Sequence, residues 1–201
     1  LENVFLSRFK MRRLDADAIR DTILKVARRL DTTPFGPAAK ADIQSDGEVL
    51  SECSLDGCRR SIYTLQRRTA PNTLLEAFDA PQMTPNCLKR AHSTVSSQAL
   101  QLWNSDFVRR NSRYFSGRVM DAVGADLGKQ IDQVYLMALS RWPSEKERKV
   151  RVGQVQEFTQ RWLQHIEKNI PAEPKQAKAE WLGLATLCHS IFNSAEFIYI
   201  D

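Results

Sequence analysis

The chain has 201 residues, 42% of them apolar, and its 29 basic and 24 acidic side chains leave a net charge of +5. That length supports one domain burying on the order of 70% of its extended surface, or two packed subdomains, and the nine Phe with four Trp and four Tyr exclude a polar disordered tail. No apolar run approaches the roughly 20 residues that cross a bilayer, and Leu1-Glu2-Asn3-Val4-Phe5 has neither an initiating Met nor an export-signal plan, so a fragment or processed form is expected.

Leu14-Asp15, followed by Ile19, Ile23, Val26, Ala27 and Leu30, predicts a first helix over about 15–30, with Asp15 accepting from first-turn amides and Leu14 stapled on Ile19. Arg8, Lys10, Arg12, Arg13, Arg20, Lys25, Arg28 and Arg29 outnumber Asp15, Asp17 and Asp21 there. They make either a positive face for nucleic acid, anionic glycan or acidic protein, or an ordinary solvated helix face. Residues 31–60 mix Pro34, Gly36, Pro37, Gly47 and Gly57 with short polar runs and predict a long loop or excursion. Ile62-Tyr63-Thr64-Leu65 predicts one short extended strand, ended by Thr69-Ala70-Pro71, and Leu74, Leu75 and Phe78 begin a short helix.

One helix, or two divided at Asn104-Ser105-Asp106, is expected over about 95–120 around Ala99, Leu100, Leu102, Trp103, Phe107 and Val108. Ile131, Val134, Tyr135, Ala138 and Leu139 form the next apolar stripe, which Pro143 stops. Ser144-Glu145-Lys146-Glu147 is a capping box opening a helix through Val150, Val155, Phe158, Trp162 and Ile166. Pro171 and Pro174 separate it from a last helix carrying Ala177, Trp181, Leu184, Ala185, Cys188 and Ile191. Burying these stripes together predicts an all-α fold: a helical bundle over 1–201 as a single mostly helical domain, with the long irregular segment and room for one short strand.

The residues give no cofactor or metal site in this segment. His92, His165 and His189 lie far apart, Cys188-His189 is not a haem-attachment motif, and no phosphate loop or G-x-S-x-G elbow occurs. Cys87, His92 and either Asp79 or Glu76 remain as a nucleophile set assembled from a distance. Asp79, between Phe78 and Ala80-Pro81, is the first acid to consider for hydrolysis; its other reading is a turn acceptor for backbone amides. Arg59-Arg60 and Arg67-Arg68 around Tyr63 suit phosphate, sulfate or carboxylate through planar bidentate guanidinium groups. The competing reading is internal: Arg60 and Arg68 are buried organisers, clamping Asp79, Glu76 or helix carbonyls. With Trp103, these give the binding candidates Arg59, Arg60, Tyr63, Arg67, Arg68, Asp79 and Trp103, and an open groove lined by Arg59, Arg67, Tyr63 and Trp103 is the arrangement that favours a glycan or anion. Cys53 and Cys58 permit a local bridge where their Cα atoms approach within about 7 Å.

Arg12-Arg13-Leu14-Asp15-Ala16-Asp17-Ala18-Ile19-Arg20-Asp21, Arg59-Arg60-Ser61-Ile62-Tyr63, Arg67-Arg68-Thr69 and Phe78-Asp79-Ala80-Pro81 form an ordered set. It continues through Cys87 with Arg90, Ser93-Thr94-Val95, Gln98-Ala99-Leu100 with Asn104, Ala138-Leu139-Ser140-Arg141-Trp142-Pro143, and Asn193-Ser194-Ala195-Glu196-Phe197-Ile198-Tyr199-Ile200-Asp201. Across almost the whole chain this resembles DUF1553, also called PSD1, the C-terminal domain of unknown function in exported multidomain proteins of planctomycetes and related bacteria. Where the usual pattern has an Asn-Asp pair, this chain reads Asn104-Ser105-Asp106. The resemblance implies an extracytoplasmic location, periplasmic or cell-surface, which favours a Cys53 to Cys58 bridge. It also implies upstream domains of the same polypeptide as partners, often including a cytochrome-c-like domain that would carry haem. It supplies no catalytic residues.

Three readings follow. The first is an extracytoplasmic helical module with a scaffolding or binding role, with anionic polysaccharide as partner. The second is the catalytic part of a polysaccharide-degrading or redox-linked enzyme completed by upstream domains. The third, nucleic-acid binding, rests on charge excess alone and is disfavoured because no recognition motif accompanies it.

Overall fold

The computed structural model describes residues 11–81, 87, 90, 93–169 and 175–200. In chain order the elements are β1 (Arg12–Arg13), α1 (Ala16–Val26), β2 (Leu30–Asp31), β3 (Ala41–Ile43), β4 (Val49–Ser51), β5 (Cys58–Arg59) and a 3-10 turn (Ser61–Tyr63). There follow α2 (Thr73–Ala77), α3 (Ser96–Asn104), α4 (Asp106–Val123), α5 (Leu127–Leu139), α6 (Glu145–Asn169), α7 (Lys175–Phe192), α8 (Ala195–Ile198) and β6 (Tyr199–Ile200). The fold is mostly helical, as the apolar periodicity predicts, and its strands are two or three residues long.

Helices α4 and α7 form the centre, with α6 packed along α7. Phe115 of α4 stacks on Phe192 of α7 at 5.7 Å between ring centroids, and Phe192 meets Phe197 of α8 at 5.0 Å. Ile19, Ile23 and Leu24 of α1, Leu74 and Leu75 of α2, and Ile131 and Val134 of α5 complete the same buried cluster. A smaller cluster of Ile166, Ala179 and Leu182, flanked by Trp162, Leu163 and Trp181, joins the far ends of α6 and α7. Antiparallel pairing of β1 with β6 places Arg13 opposite Tyr199 and brings the described ends of the chain together.

Local signals explain most boundaries. The capping box forms: Glu147 N donates to Ser144 Oγ at 3.3 Å, and Ser144 N donates to Glu147 Oε2 at 2.8 Å. Arg141 grips the same Glu147 carboxylate at 2.8 and 3.0 Å and reaches Glu196 of α8 at 2.9 Å. The Arg141 contact, with Ser144 added, holds the Glu147 carboxyl down at about 2. Pro171 and Pro174 lie outside the described residues. Helices α3 and α4 divide at Ser105, as Asn104-Ser105-Asp106 suggests.

Three expectations are corrected. Helix α1 ends at Val26 rather than near 30, because Arg28 turns left-handed (φ 57°) and Arg29 N returns to Leu24 O at 2.7 Å. Asp15 is its N-cap residue but makes no side-chain cap bond; its Oδ2 lies 3.6 Å from Arg12 and 3.8 Å from Arg90. The strand expected over Ile62-Tyr63-Thr64-Leu65 is instead a 3-10 turn, wound by Tyr63 N on Arg60 O at 2.9 Å and Thr64 Oγ1 on Ser61 O at 2.8 Å. Only Thr64 bridges an extended partner, Ala39.

Residues 31–60 contain the β3–β4 hairpin, with Asp42 opposite Leu50. Glu48 anchors it by capping α4 from a distance: its carboxylate accepts from Ser105 Oγ at 2.5 Å, Gln101 Nε2 at 3.2 Å and Asp106 N at 3.2 Å. Val49 N donates to Thr73 Oγ1 at 2.8 Å, fixing the hairpin to α2. Cys53 and Cys58 are joined by a disulfide, and β5 pairs in parallel with β2 so that Cys58 lies opposite Leu30.

Helix α7 packs tightly on α6 at Gly183, where an added Cβ would lie 3.0 Å from Thr159 N and 3.1 Å from its Cα. Both neighbours are backbone atoms and cannot swing aside. Gly183→Ala should therefore destabilise the fold by about 1–3 kcal/mol, read as a lowered midpoint in chemical denaturation. An unchanged midpoint would contradict this packing.

Candidate functional site

Among the charged residues of the ordered motifs, one set turns inward and another lines a groove. Asp79 belongs to the first. It follows α2 in the left-handed conformation (φ 61°), which an aspartate tolerates better than most residues. Its carboxylate accepts from Ser93 N at 2.7 Å, from Ser93 Oγ at 2.9 Å and from Arg13 Nη2 at 2.9 Å. Arg13, whose side chain is 4% exposed, also donates to Phe78 O at 3.0 Å and Ser93 O at 2.9 Å, and lies over the Phe78 ring at 5.2 Å. Gln98 Nε2 closes the cluster on Ser93 Oγ at 3.2 Å.

Desolvation alone would raise the Asp79 carboxyl pKa; the Ser93 amide and hydroxyl with the Arg13 guanidinium outweigh it, and the net shift is downward. That is the wrong direction for a general acid. Asp79 accepts a backbone amide, and the arginine that clamps it is Arg13 rather than Arg59, Arg60, Arg67 or Arg68. His92, the base in the assembled nucleophile set, lies outside the described residues. Cys188 and His189 form no nucleophile pair. Burial pushes the Cys188 thiol up, and His189 places Nε2 at 3.2 Å from Leu102 O.

The second inward arginine is Arg20 on α1. At 2% exposure it donates to Arg59 O at 3.0 Å and Ser61 Oγ at 3.2 Å, and it lies 5.6 Å over the Phe107 ring. Burial lowers its pKa to about 10, against the opposing pull of Asp21 and Asp17, so it stays charged at neutral pH. Asp21 accepts from Ser61 N at 2.8 Å and Ser61 Oγ at 2.7 Å. Arg59-Arg60-Ser61 is thus held through its backbone and its serine.

Of the predicted binding residues, the structure brings Arg59 against Tyr63 and places Trp103 elsewhere, against His189. Arg59 stacks on Tyr63 at 4.6 Å and donates to the carbonyls of Thr33, Phe35 and Pro37, bracing that loop. Arg60 is a surface residue, 53% exposed, with Nε 3.3 Å from Asp21. Arg67 and Arg68 are exposed, so the buried-organiser role expected of Arg60 and Arg68 is filled instead by Arg13 and Arg20. Trp103, 55% exposed, stacks on His189 at 5.0 Å. None of Arg59, Arg67, Tyr63 and Trp103 lines the groove along α1.

An open groove of about 640 Å³ does run along α1, lined by Asp15, Asp17, Asp21, Lys25, Arg28, Arg60 and Arg90 among others. Its floor is the polar face of the amphipathic helix whose apolar face buries Ile19, Ile23 and Val26. Asp17 and Asp21 stand one turn apart on one wall. Asp17 accepts from Arg90 Nη1 at 2.7 Å, and that bond raises the Arg90 pKa; Asp21 pairs with Arg60. Both carboxylates come from one helix and each is engaged by an arginine, unlike acids placed on opposite sides of a glycosidic bond. Of the seven predicted candidates, Arg60 alone lines this groove. The signal was present in Asp17, Asp21, Lys25 and Arg28 at helical spacing, but it equally describes a solvated face. Among the described residues, no three His, Cys, Asp or Glu side chains are grouped as a metal site.

The Asp79 pKa lies below its unfolded value of about 3.8 in the folded protein. Its stabilising contribution is therefore full above that value and lost as pH falls through the folded pKa. Asp79→Asn should lower stability at pH 7 by about 2 kcal/mol, with the gap from wild type narrowing toward pH 3 in parallel denaturant titrations. A gap that stays constant with pH would contradict a charged anchor.

The chain matches the family described as PSD1, protein of unknown function (DUF1553), over residues 1–154. No curated protein and no solved structure matches it. Arg13, Arg20, Ser61, Asp79, Ser93 and Gln98, the residues of the two inward clusters, all fall within the matched span. With well over half of its length covered, the chain belongs to the DUF1553 family of proteins of unknown function.

Proposed function

We propose that this domain is an extracytoplasmic binding and scaffolding module, and that the groove along α1 takes polysaccharide. The observation that carries the reading is the pair of aspartate–arginine contacts, Asp17 with Arg90 and Asp21 with Arg60, in one open groove. They are one helical turn, about 5–6 Å, apart. Each pair sets a carboxylate acceptor beside a guanidinium donor, the combination that satisfies adjacent hydroxyls, which both donate and accept. The Arg20 cluster ties α1 to the segment that carries Arg60 before a ligand arrives, which lowers the ordering cost of binding.

An exported location agrees with the Cys53–Cys58 disulfide, since such bonds persist in oxidising compartments. No described helix is long and apolar enough to cross a membrane. In this reading the partners are upstream domains of the same polypeptide, and any haem belongs to one of those. Nucleic-acid binding is the weaker reading, because Arg13, Arg20, Arg29 and Arg59 contact carbonyls, carboxylates and aromatic rings of the domain itself.

The test is retardation of the purified domain in native gels containing neutral, carboxylated or sulfated polysaccharide, with duplex DNA as a polyanion control, at two salt concentrations. Retention by a polysaccharide should survive the higher salt and fall by about tenfold in affinity with Asp17→Asn, the loss expected when one charged hydrogen-bonding group is removed. Equal, salt-labile retention by every polyanion including DNA would overturn the proposal.

A further inference from the structure

The groove is electrically lopsided. At its α1 N-terminal end Asp15 and Asp17 share Arg90 and Asp21 faces Arg60, so each carboxylate there has an arginine beside it. At the C-terminal end Lys25 and Arg28 line the groove, are exposed, and make no ion pair among the described residues. The ordinary task for cations at this place, serving the last helix carbonyls, is already filled. Arg118 Nη1 donates to Lys25 O at 3.2 Å and Val26 O at 2.7 Å.

Arg28 also occupies a costly backbone position. Its φ of 57° is left-handed, Arg28 N donates to Lys25 O at 3.1 Å and Arg29 N to Leu24 O at 2.7 Å, so it stands just past the helix end where glycine is favoured. A side chain with a Cβ is strained there, and such strain gathers at functional sites. The helical rise places Lys25 about 6 Å beyond Asp21 and about 12 Å beyond Asp17.

From these positions we infer that Lys25 and Arg28 select an acidic glycan, binding a carboxylate or sulfate substituent while hydroxyls of the same chain occupy the two aspartate–arginine pairs. This rests on the groove being a polysaccharide site and adds its selectivity and polarity. The ligand lies along α1 with its anionic group toward the helix C-terminus. An ammonium and a guanidinium together suit either anion, the guanidinium through two parallel hydrogen bonds.

Arg28→Gly separates the two consequences of the position, because it relieves the backbone and removes the anion contact together. Its melting temperature should rise by about 2–4 °C. Its affinity for polygalacturonate or dextran sulfate in affinity gels should fall about tenfold, with retention by uncharged dextran unchanged. Lys25→Gln should weaken acidic-polymer binding at unchanged melting temperature. The polygalacturonate and dextran sulfate arms distinguish carboxylate from sulfate. If the wild type is retained equally by dextran and both acidic polymers, the groove reading stands and the selectivity falls. If no polymer is retained, both fall. Full acidic-polymer affinity in Arg28→Gly would overturn the inference, and so would loss of neutral and acidic binding together.

Discussion

A guanidinium taken out of water must find acceptors inside the protein, and among the described residues two are buried, Arg13 and Arg20. The acceptors come from segments far apart in sequence. Arg13 draws in the α2 terminus at Phe78 and Asp79 and the approach to α3 at Ser93; Arg20 draws in Arg59 and Ser61. Aromatic rings, Phe78 and Phe107, cover the guanidinium faces and keep solvent from competing. Because an arginine left buried without its partners is strongly penalised, the two clusters fix where the irregular middle of the chain runs. They do so where short strands and a single 3-10 turn supply few backbone hydrogen bonds.

The same economy governs charge at the surface. A net charge of +5 suggests a polyanion partner when counted along the sequence. In three dimensions much of the basic excess is internal: Arg29 donates to the carbonyls of Ser54 and Leu55, Arg59 braces the 33–37 loop, and Arg118 serves the α1 carbonyls. Along α1 the surface charge is ordered, with aspartate–arginine contacts followed by Lys25 and Arg28, which make no ion pair among the described residues.

Glu48 and Asp21 show how carboxylates on one element organise another. Glu48 leaves a hairpin to take the first amide of α4 and the Ser105 hydroxyl, and Asp21 leaves α1 to hold the amide and hydroxyl of Ser61. In each case the acceptor replaces a local cap that the sequence lacks: Ser105 makes no side-chain cap bond of its own, and its hydroxyl turns to Glu48. The hairpin within 31–60 is therefore tied to the helices by side chains more than by an extended sheet.

Helix identity was legible because it depends on neighbours three and four residues away. Ser144 with Glu147 marked the start of α6, Asn104-Ser105-Asp106 marked the α3–α4 division, and Ile131, Val134 and Tyr135 marked the buried face of α5. The same local logic misread Ile62-Tyr63-Thr64-Leu65: β-branched composition favours extension, but Asp21 captures Ser61 from forty residues away and a turn forms. The sequence by itself determined the helical class, the order of the long helices and the family, since periodicity and motif order are properties of the chain. Only the tertiary structure decided which arginines are buried, that Asp79 is an anchor, and that the polar face of α1 lines a groove. Burial and pairing are relations between distant residues, and an arginine reads the same in sequence whether it ends in solvent or against a carboxylate.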